Sequence, residues 1–160
     1  MTRERGFSLT EVMVVLLVSG IILASGVPAF LSFQRGLSNV QARERMMQDI
    51  RYARQLAVTR HQSVIIAFGD GVTTTDITTY TLHVDADNDR VVDVGEWTSG
   101  RTLPRGVLLT SVALAPTDSL IFDPSGALWP GTNGGRLVYT NGRTPPDTIM
   151  ISGVGMVYNP

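Results

Sequence analysis

Residues 85–96, DADNDRVVDVGE, concentrate carboxylates at the spacing that twelve-residue calcium-binding loops use. Such loops place oxygen ligands at their first, third, fifth, seventh, ninth and twelfth positions, because Ca²⁺ prefers carboxylates and carbonyls. Arg90 departs from the pattern, since it replaces the glycine of the sharp turn, and the flanking segments resemble strands. The stretch therefore predicts either a calcium site or a solvated acidic hairpin tip. In the calcium hypothesis Val91 offers its carbonyl, Val92 is buried, and the side-chain ligands are Asp85, Asp87, Asp89, Asp93 and Glu96.

The remaining titratable residues offer little for catalysis. His61 is predicted at a helix end, where an imidazole commonly caps carbonyls, and His83 lies in an alternating strand. Neither has a serine or carboxylate at motif spacing, and the absence of cysteine excludes thiol catalysis and disulfides. The sequence predicts that the protein is not an enzyme, with a membrane-anchored hydrolase as the enzyme-class alternative. Calcium is the candidate cofactor, and no other cofactor is predicted.

One further carboxylate, Glu11, stands at the start of an apolar run. Residues 12–33 contain no charge, and as a helix these 22 residues would extend about 33 Å, enough to cross a bilayer. A lone carboxylate in hydrocarbon costs ~2.5 kcal/mol or more, so an acid here requires a partner. Arg3 and Arg5 precede the run and, by the positive-inside rule, keep this end in the cytoplasm. The part of the chain that follows the apolar run is then outside the cytoplasm.

A partner for this acid appears if the chain is cut between Gly6 and Phe7, because the new α-amino group lies one helical turn from Glu11. The stretch GFSLTE and the apolar run after it resemble the class III leader and N-terminal helix of type IV pilins and type II secretion pseudopilins. The resemblance implies that prepilin peptidase removes leader 1–6 and that Phe7 becomes N-methylated. It also implies that Glu11 pairs with the Phe7 amine of an adjacent subunit.

The same resemblance implies a transmembrane and filament-core helix over residues 7–36. Pro28 within it marks a segment that either kinks or loses helicity during assembly. From residue 37 the helix is predicted to be amphipathic as far as about Arg60. Its predicted apolar stripe consists of Leu37, Val40, Met47, Ile50, Ala53 and Ala57.

Beyond Arg60 the apolar period changes to two, which predicts strands separated by glycine, proline and aspartate turns. Residues 37–160 therefore form an amphipathic helix packed on an antiparallel β-sheet head, an α+β arrangement. The predicted strands are residues 63–68, 78–84, 107–114, 119–122, 136–139 and 148–157.

Two stretches narrow the resemblance to the GspH/FimT family of minor pseudopilins and minor pilins: MMQDIRYARQLAVTRHQSVIIAF and LIFDPSGAL. This implies a pilin-like fold and a subunit of a type IV pilus or a type II secretion system. The implied partners are other pilins, the prepilin peptidase and the inner-membrane assembly platform. The implied location is the bacterial inner membrane, with a single pass and the head outside the cytoplasm.

Charge argues against nucleic acid as a partner. The formal net charge is −1, so no global basic field favours DNA. Some relatives resemble DNA-uptake minor pilins that use a C-terminal arginine-containing stretch, but here the matching residues 153–156 read GVGM. A DNA-receptor minor pilin is therefore the alternative function, and a structural, assembling subunit is the prediction.

Overall fold

A computed structural model of the chain describes residues 8–69, 75–114, 118–129 and 134–160. The chain divides into two compact units, one up to Gly36 and one over Leu37–Pro160. A helix α1, Leu9–Arg60, begins in the first unit and ends in the second. Eight strands follow it: β1 Ser63–Phe68, β2 Thr79–Asp85, β3 Trp97–Thr102, β4 Leu108–Leu114, β5 Ser119–Phe122, β6 Gly135–Thr140, β7 Asp147–Ile151 and β8 Val157–Tyr158.

The strands form two four-stranded antiparallel sheets instead of one. The first sheet has the order β3-β2-β1-β5 and the second the order β4-β6-β7-β8. A β-bridge between Ile77 and Leu109 connects them, with N–H···O distances of 3.1 Å and 2.9 Å. The α+β class and the antiparallel pairing are confirmed, and the single predicted sheet is corrected to two.

Two strand predictions required correction. The predicted strand 148–157 is two strands, because a turn with a Gly155 N–H to Ser152 carbonyl bond of 2.8 Å separates β7 from β8. The strand β3 was not predicted. Its sequence WTSGRT lacks apolar alternation, because β3 is an edge strand paired only with β2 among the described strands and is largely exposed.

The second unit has one hydrophobic core to which α1 and both sheets contribute. β1 is a central strand with buried β-branched residues, which explains its continuous apolar sequence SVIIAF. The largest fully buried side chains include Phe68, Phe122 and Tyr139. The helix therefore acts as a third layer, covered by residues of two sheets.

The buried face of α1 differs in part from the predicted stripe. Ile50, Ala53 and Ala57 are buried, as predicted. Leu37 and Val40 are 40% and 44% exposed, however, and Met47 is only partly buried. Four further positions of α1 are buried that the predicted stripe did not include: Asn39, Ala42, Met46 and Leu56. The small side chain of Ala42 allows close approach of the helix to the sheets.

The helix ends in a left-handed residue. His61 has φ 53°, and the N–H of Gln62 donates to the carbonyl of Ala57 at 3.3 Å. This is the 6→1 bond of a Schellman motif, with His61 where glycine is usual. The backbone of His61, and not the imidazole capping that the sequence suggested, therefore terminates α1.

The turn DPSG, which follows β5, packs closely against α1. The Asp123 carboxylate accepts bonds from the N–H groups of Ser125 and Ala127 at 2.8 Å and 3.1 Å. Gly126 has φ 79°, and a Cβ there would lie 2.7 Å from Cγ2 of Val58 in α1. This position therefore requires glycine for its backbone angle and for its distance from the helix.

We expect Gly126→Ala to lower the free energy of unfolding by about 1–3 kcal/mol, since it adds both backbone strain and overpacking. Chemical denaturation of the detergent-solubilised chain, followed by tryptophan fluorescence, measures this, because both tryptophans lie in the second unit. Gly100→Ala is the matched control: nothing lies within 4 Å of its added Cβ. Equal stability of the two variants would contradict the proposed contact.

Candidate functional site

The first unit presents an apolar helix whose described side chains are exposed. The segment Leu9–Pro28 has a mean hydropathy of 2.1 and 0% of it is buried, so by length and composition it could cross a membrane. Its large side chains are exposed, with Leu16 at 66% and Ile22 at 63%. Such a surface needs lipid or other apolar helices around it.

Glu11 lies in the first turn of α1. The Ser8 carbonyl accepts from the N–H of Glu11 at 3.1 Å and of Val12 at 3.3 Å, so this turn is formed. The Glu11 carboxylate is exposed and has no ion pair within the described part of the chain. The predicted cleavage and methylation residues, Gly6 and Phe7, lie outside the described residues.

The helix continues through Pro28. Proline has no N–H, so the carbonyl of Ala24 loses its usual i+4 donor. Nearby, the hydroxyl of Ser25 donates to the carbonyls of Ile21 at 3.1 Å and Ile22 at 3.3 Å. The segment before Pro28 thus has a weakened backbone ladder within an unbroken helix.

The acidic loop between β2 and β3 brings three of its five predicted ligands together. Asp85, Asp87 and Asp89 each place one carboxylate oxygen within 4.8 Å of the other two. Asp85 is 0% exposed; its Oδ2 accepts from the Arg90 N–H at 2.7 Å, and its Oδ1 has no hydrogen-bond partner in the described part of the chain. Burial raises the pKa of Asp85, as do the neighbouring Asp87 and Glu96, although backbone N–H bonds oppose the rise.

The other two predicted ligands lie outside this cluster. Glu96 accepts at Oε1 from the N–H of Ala86 at 2.7 Å and at Oε2 from the N–H of Asp93 at 3.0 Å. Its carboxylate therefore closes the loop on itself, and Asp93 contributes its backbone to that closure. The predicted burial of Val92 is wrong, since the residue is 45% exposed.

Arg90 adopts the conformation that the loop requires of glycine. Its φ is 71°, in the left-handed region, so the sharp turn forms despite the side chain. The guanidinium Cζ lies 3.2 Å from the centroid of the Trp129 ring, a cation–π contact. Among the described residues it forms no ion pair with the loop acids, so Arg90 does not neutralise them.

The two histidines do not form a catalytic site in the described part of the chain. His83 has both ring nitrogens within hydrogen-bond distance of threonine hydroxyls, Thr81 at 2.8 Å and Thr98 at 3.0 Å. Burial lowers the pKa of His83, with Glu96 opposing the change. His61 is exposed at the helix end.

Two Tyr–Asp–Arg clusters fasten α1 to the two sheets, and sequence analysis missed both. In the first, the Tyr80 hydroxyl donates to Asp49 Oδ2 at 2.6 Å and Arg101 Nε lies 3.3 Å from the same oxygen. Here the helix supplies the acid.

In the second cluster the helix supplies the base. The Tyr139 hydroxyl donates to Asp147 Oδ2 at 2.7 Å, and Arg43 Nη1 lies 3.6 Å from that oxygen. Burial, followed by the hydrogen bond to aspartate, raises the pKa of Tyr80 and of Tyr139 well above the usual value near 10. Both hydroxyls therefore stay protonated donors in the folded protein.

Comparison with known families identifies the chain. The family model described as type II transport protein GspH matches residues 42–155, most of the sequence. The chain belongs to the GspH family. The model of the prokaryotic N-terminal methylation motif matches residues 1–27, ahead of the GspH region. These matches confirm the predicted resemblance to the GspH family and to chains that carry a prepilin-type N-terminal methylation motif.

A solved structure supports the pilin-like fold of this GspH-family chain. The type IV minor pilin FimU of Pseudomonas aeruginosa matches with a TM-score of 0.53 and 18% identity, over 75% of this chain and 86% of that one. The minor pseudopilin EpsH of the Vibrio cholerae type 2 secretion system matches with a TM-score of 0.49 and 15% identity, over 77% and 95%. No curated protein sequence matches significantly.

We expect the free energy of unfolding to fall as the pH rises above about 10. The unfolded chain releases tyrosine protons there while the folded chain retains them, so each raised pKa removes up to about 1.4 kcal/mol per pH unit. Chemical denaturation from pH 8 to 11 tests this. Tyr80→Phe and Tyr139→Phe should each reduce the slope, whereas Tyr52→Phe, at an exposed position, should not. An unchanged slope in both cluster variants would refute the assignment.

Proposed function

We propose that this chain is a processed minor pilin or pseudopilin that is stored in the membrane and assembles through α1 while presenting its two-sheet head. The observation that carries the proposal is the exposed apolar segment Leu9–Pro28, with the Glu11 carboxylate in its first turn, which forms no ion pair with any residue that the structure describes. A purely anchoring helix needs no acid at this place, whereas an assembling helix gains specificity from one.

Assembly then has an apolar and an electrostatic part. Transfer from lipid into a bundle of similar helices gives the apolar segment close packing but little specificity, because lipid is equally apolar. Removal of residues 1–6 creates a cation at Phe7, and Glu11 of a neighbouring subunit pairs with it. An unpaired acid inside such a bundle is costly, so this pairing sets the axial stagger of the subunits.

The partners follow from this mechanism. Other pilins or pseudopilins of the same type IV pilus or type II secretion system surround α1 in the assembly. Prepilin peptidase cuts after Gly6, and the inner-membrane platform adds the subunit to the growing assembly. Arg3 and Arg5 hold the leader in the cytoplasm, so the chain crosses the inner membrane once with its head outside. Pro28 and the weakened ladder before it allow the helix to adapt when it leaves the lipid.

A DNA receptor is the second candidate. Arg51 and Arg54 of α1 line a cavity of about 220 Å³ together with Gly155, Met156 and Val157, next to the stretch where DNA-uptake relatives carry arginine. Tracking of a phosphate backbone requires several clustered cations, and two supply only a small part of that affinity. We therefore rank this function below assembly.

Processing is tested by mass spectrometry of the protein recovered from native assemblies. We expect an N-terminal peptide that begins at N-methylated Phe7, because the charged leader cannot enter an apolar helix bundle. An intact Met1 in assembled material would overturn the proposal. Membrane-stored protein from cells that lack the peptidase is the control and should retain residues 1–6.

The role of Glu11 is tested with Glu11→Gln, which keeps the size of the side chain and removes its charge. We expect normal membrane insertion but roughly tenfold less subunit in sheared or pulled-down filaments, since a charge-assisted pair is lost.

Glu44→Gln is the matched control, because it makes the same change at an exposed position of the same helix. It should assemble at the normal level. Normal recovery of Glu11→Gln in the filaments would contradict the pairing mechanism.

A further inference from the structure

We propose that the loop between β2 and β3 binds Ca²⁺ through the carboxylates of Asp85, Asp87 and Asp89. This site belongs to the head and is independent of the helix-mediated assembly proposed above. Of the five acids at calcium-loop spacing, the proposal retains these three, because Glu96 already binds two backbone N–H groups and Asp93 lies outside the cluster.

The observation that points to a ligand is an orphaned oxygen. Asp85 is 0% exposed, and among the residues that the structure describes its Oδ1 has no hydrogen-bond donor, whereas Oδ2 accepts from the Arg90 N–H at 2.7 Å. A buried carboxylate oxygen without a partner is strongly unfavourable, and native structures rarely retain one without a reason. A cation at the cluster would supply the missing partner.

The distances suit a calcium ion. One oxygen from each of the three carboxylates lies within 4.8 Å of the others. Ca–O bonds of 2.3–2.6 Å allow two oxygens on one ion to be up to about 5 Å apart, so this spacing is compatible with one calcium ion bound by all three carboxylates. The cluster offers oxygen alone, which disfavours Zn²⁺.

Charge also favours a bound cation. The three carboxylates face one another, and the nearest arginine in the loop, Arg90, directs its guanidinium to Trp129, 3.2 Å from the ring centroid. The acids therefore lack an internal counter-ion among the described residues. With the head outside the cytoplasm, as the proposed function has it, the site would meet calcium concentrations that suit an extracellular module.

Binding would stabilise the head through the elements that the loop joins. Asp85 is the last residue of β2, and Asn88 Oδ1 accepts from the N–H of Ser63, the first residue of β1, at 2.6 Å. A cation on Asp85, Asp87 and Asp89 would therefore hold the ends of two central strands of the first sheet.

The experiment is calorimetric titration of the detergent-solubilised chain with calcium chloride, together with thermal unfolding in EGTA and in 10 mM Ca²⁺. We expect a Kd on the order of 10⁻⁴–10⁻³ M and a rise in Tm of roughly 5–10 °C. Magnesium chloride should bind more weakly. The absence of both binding heat and a Tm rise in the unaltered chain would overturn the proposal.

Asp87→Asn and Asp89→Asn change exposed ligands and should leave the fold intact while weakening calcium binding at least about tenfold. Asp76→Asn is the matched control: Asp76 has φ 58°, which asparagine tolerates, and it lies outside the cluster. The control should bind calcium normally. Equal affinity of all three variants would overturn the assignment of ligands.

Asp85→Asn separates a cation site from a purely structural acid. Because it removes the buried charge but keeps an oxygen for the Arg90 N–H, we expect a higher Tm in EGTA and no calcium response. A lower Tm in EGTA with a calcium response like that of the unaltered chain would overturn the role of Asp85. Tryptophan fluorescence confirms that each variant is folded.

Discussion

The structure depends on one constraint: the continuous helix α1 has to satisfy two different environments. From residue 12 to Pro28 it carries no charge, and its described side chains are exposed, so this surface requires lipid or other apolar helices around it. From residue 37 onward only one face is apolar, and two sheets of the same chain bury it. The first part of the helix is therefore suited to contacts with other molecules, and the second part to contacts within its own chain. A substitution in either part affects the corresponding set of contacts.

Polar contacts fix how the second half of the helix lies on its sheets. Hydrophobic burial is non-directional, and the small residues Ala42, Ala53 and Ala57 would permit several rotations. Asp49 meets Tyr80 and Arg101 on the first sheet, and Arg43 meets Asp147 on the second. In the first cluster α1 supplies the aspartate, and in the second cluster it supplies the arginine. Each cluster therefore matches only its own sheet.

Sequence alone predicted the features that depend on local pattern. The strands with alternating or continuous apolar residues, β1 and β5, were predicted with their observed bounds, and the end of α1 at Arg60 was also correct. β3 was missed because an exposed edge strand needs no apolar residues. The predicted apolar stripe of α1 wrongly included Leu37 and Val40, because the side of a helix that is buried depends on sheets that are distant in sequence.

The acidic loop shows the same limit. Its spacing brought Asp85, Asp87 and Asp89 to attention, but the sequence could not reveal that Glu96 binds backbone N–H groups or that Trp129 attracts the side chain of Arg90. The two Tyr–Asp–Arg clusters were beyond prediction for a similar reason. In the first cluster Asp49 lies 31 residues from Tyr80 and 52 residues from Arg101, and no local pattern connects them.

The bridge between Ile77 and Leu109 has a consequence for how the head unfolds. It joins the segment before β2 to β4, so two backbone hydrogen bonds belong to both sheets at once. Separation of the sheets exposes both N–H groups together with the apolar residues behind them, and partial opening gains little chain entropy in return. The head should therefore behave as one cooperative unit, in which neither sheet persists alone when its subunit is pulled on or heated.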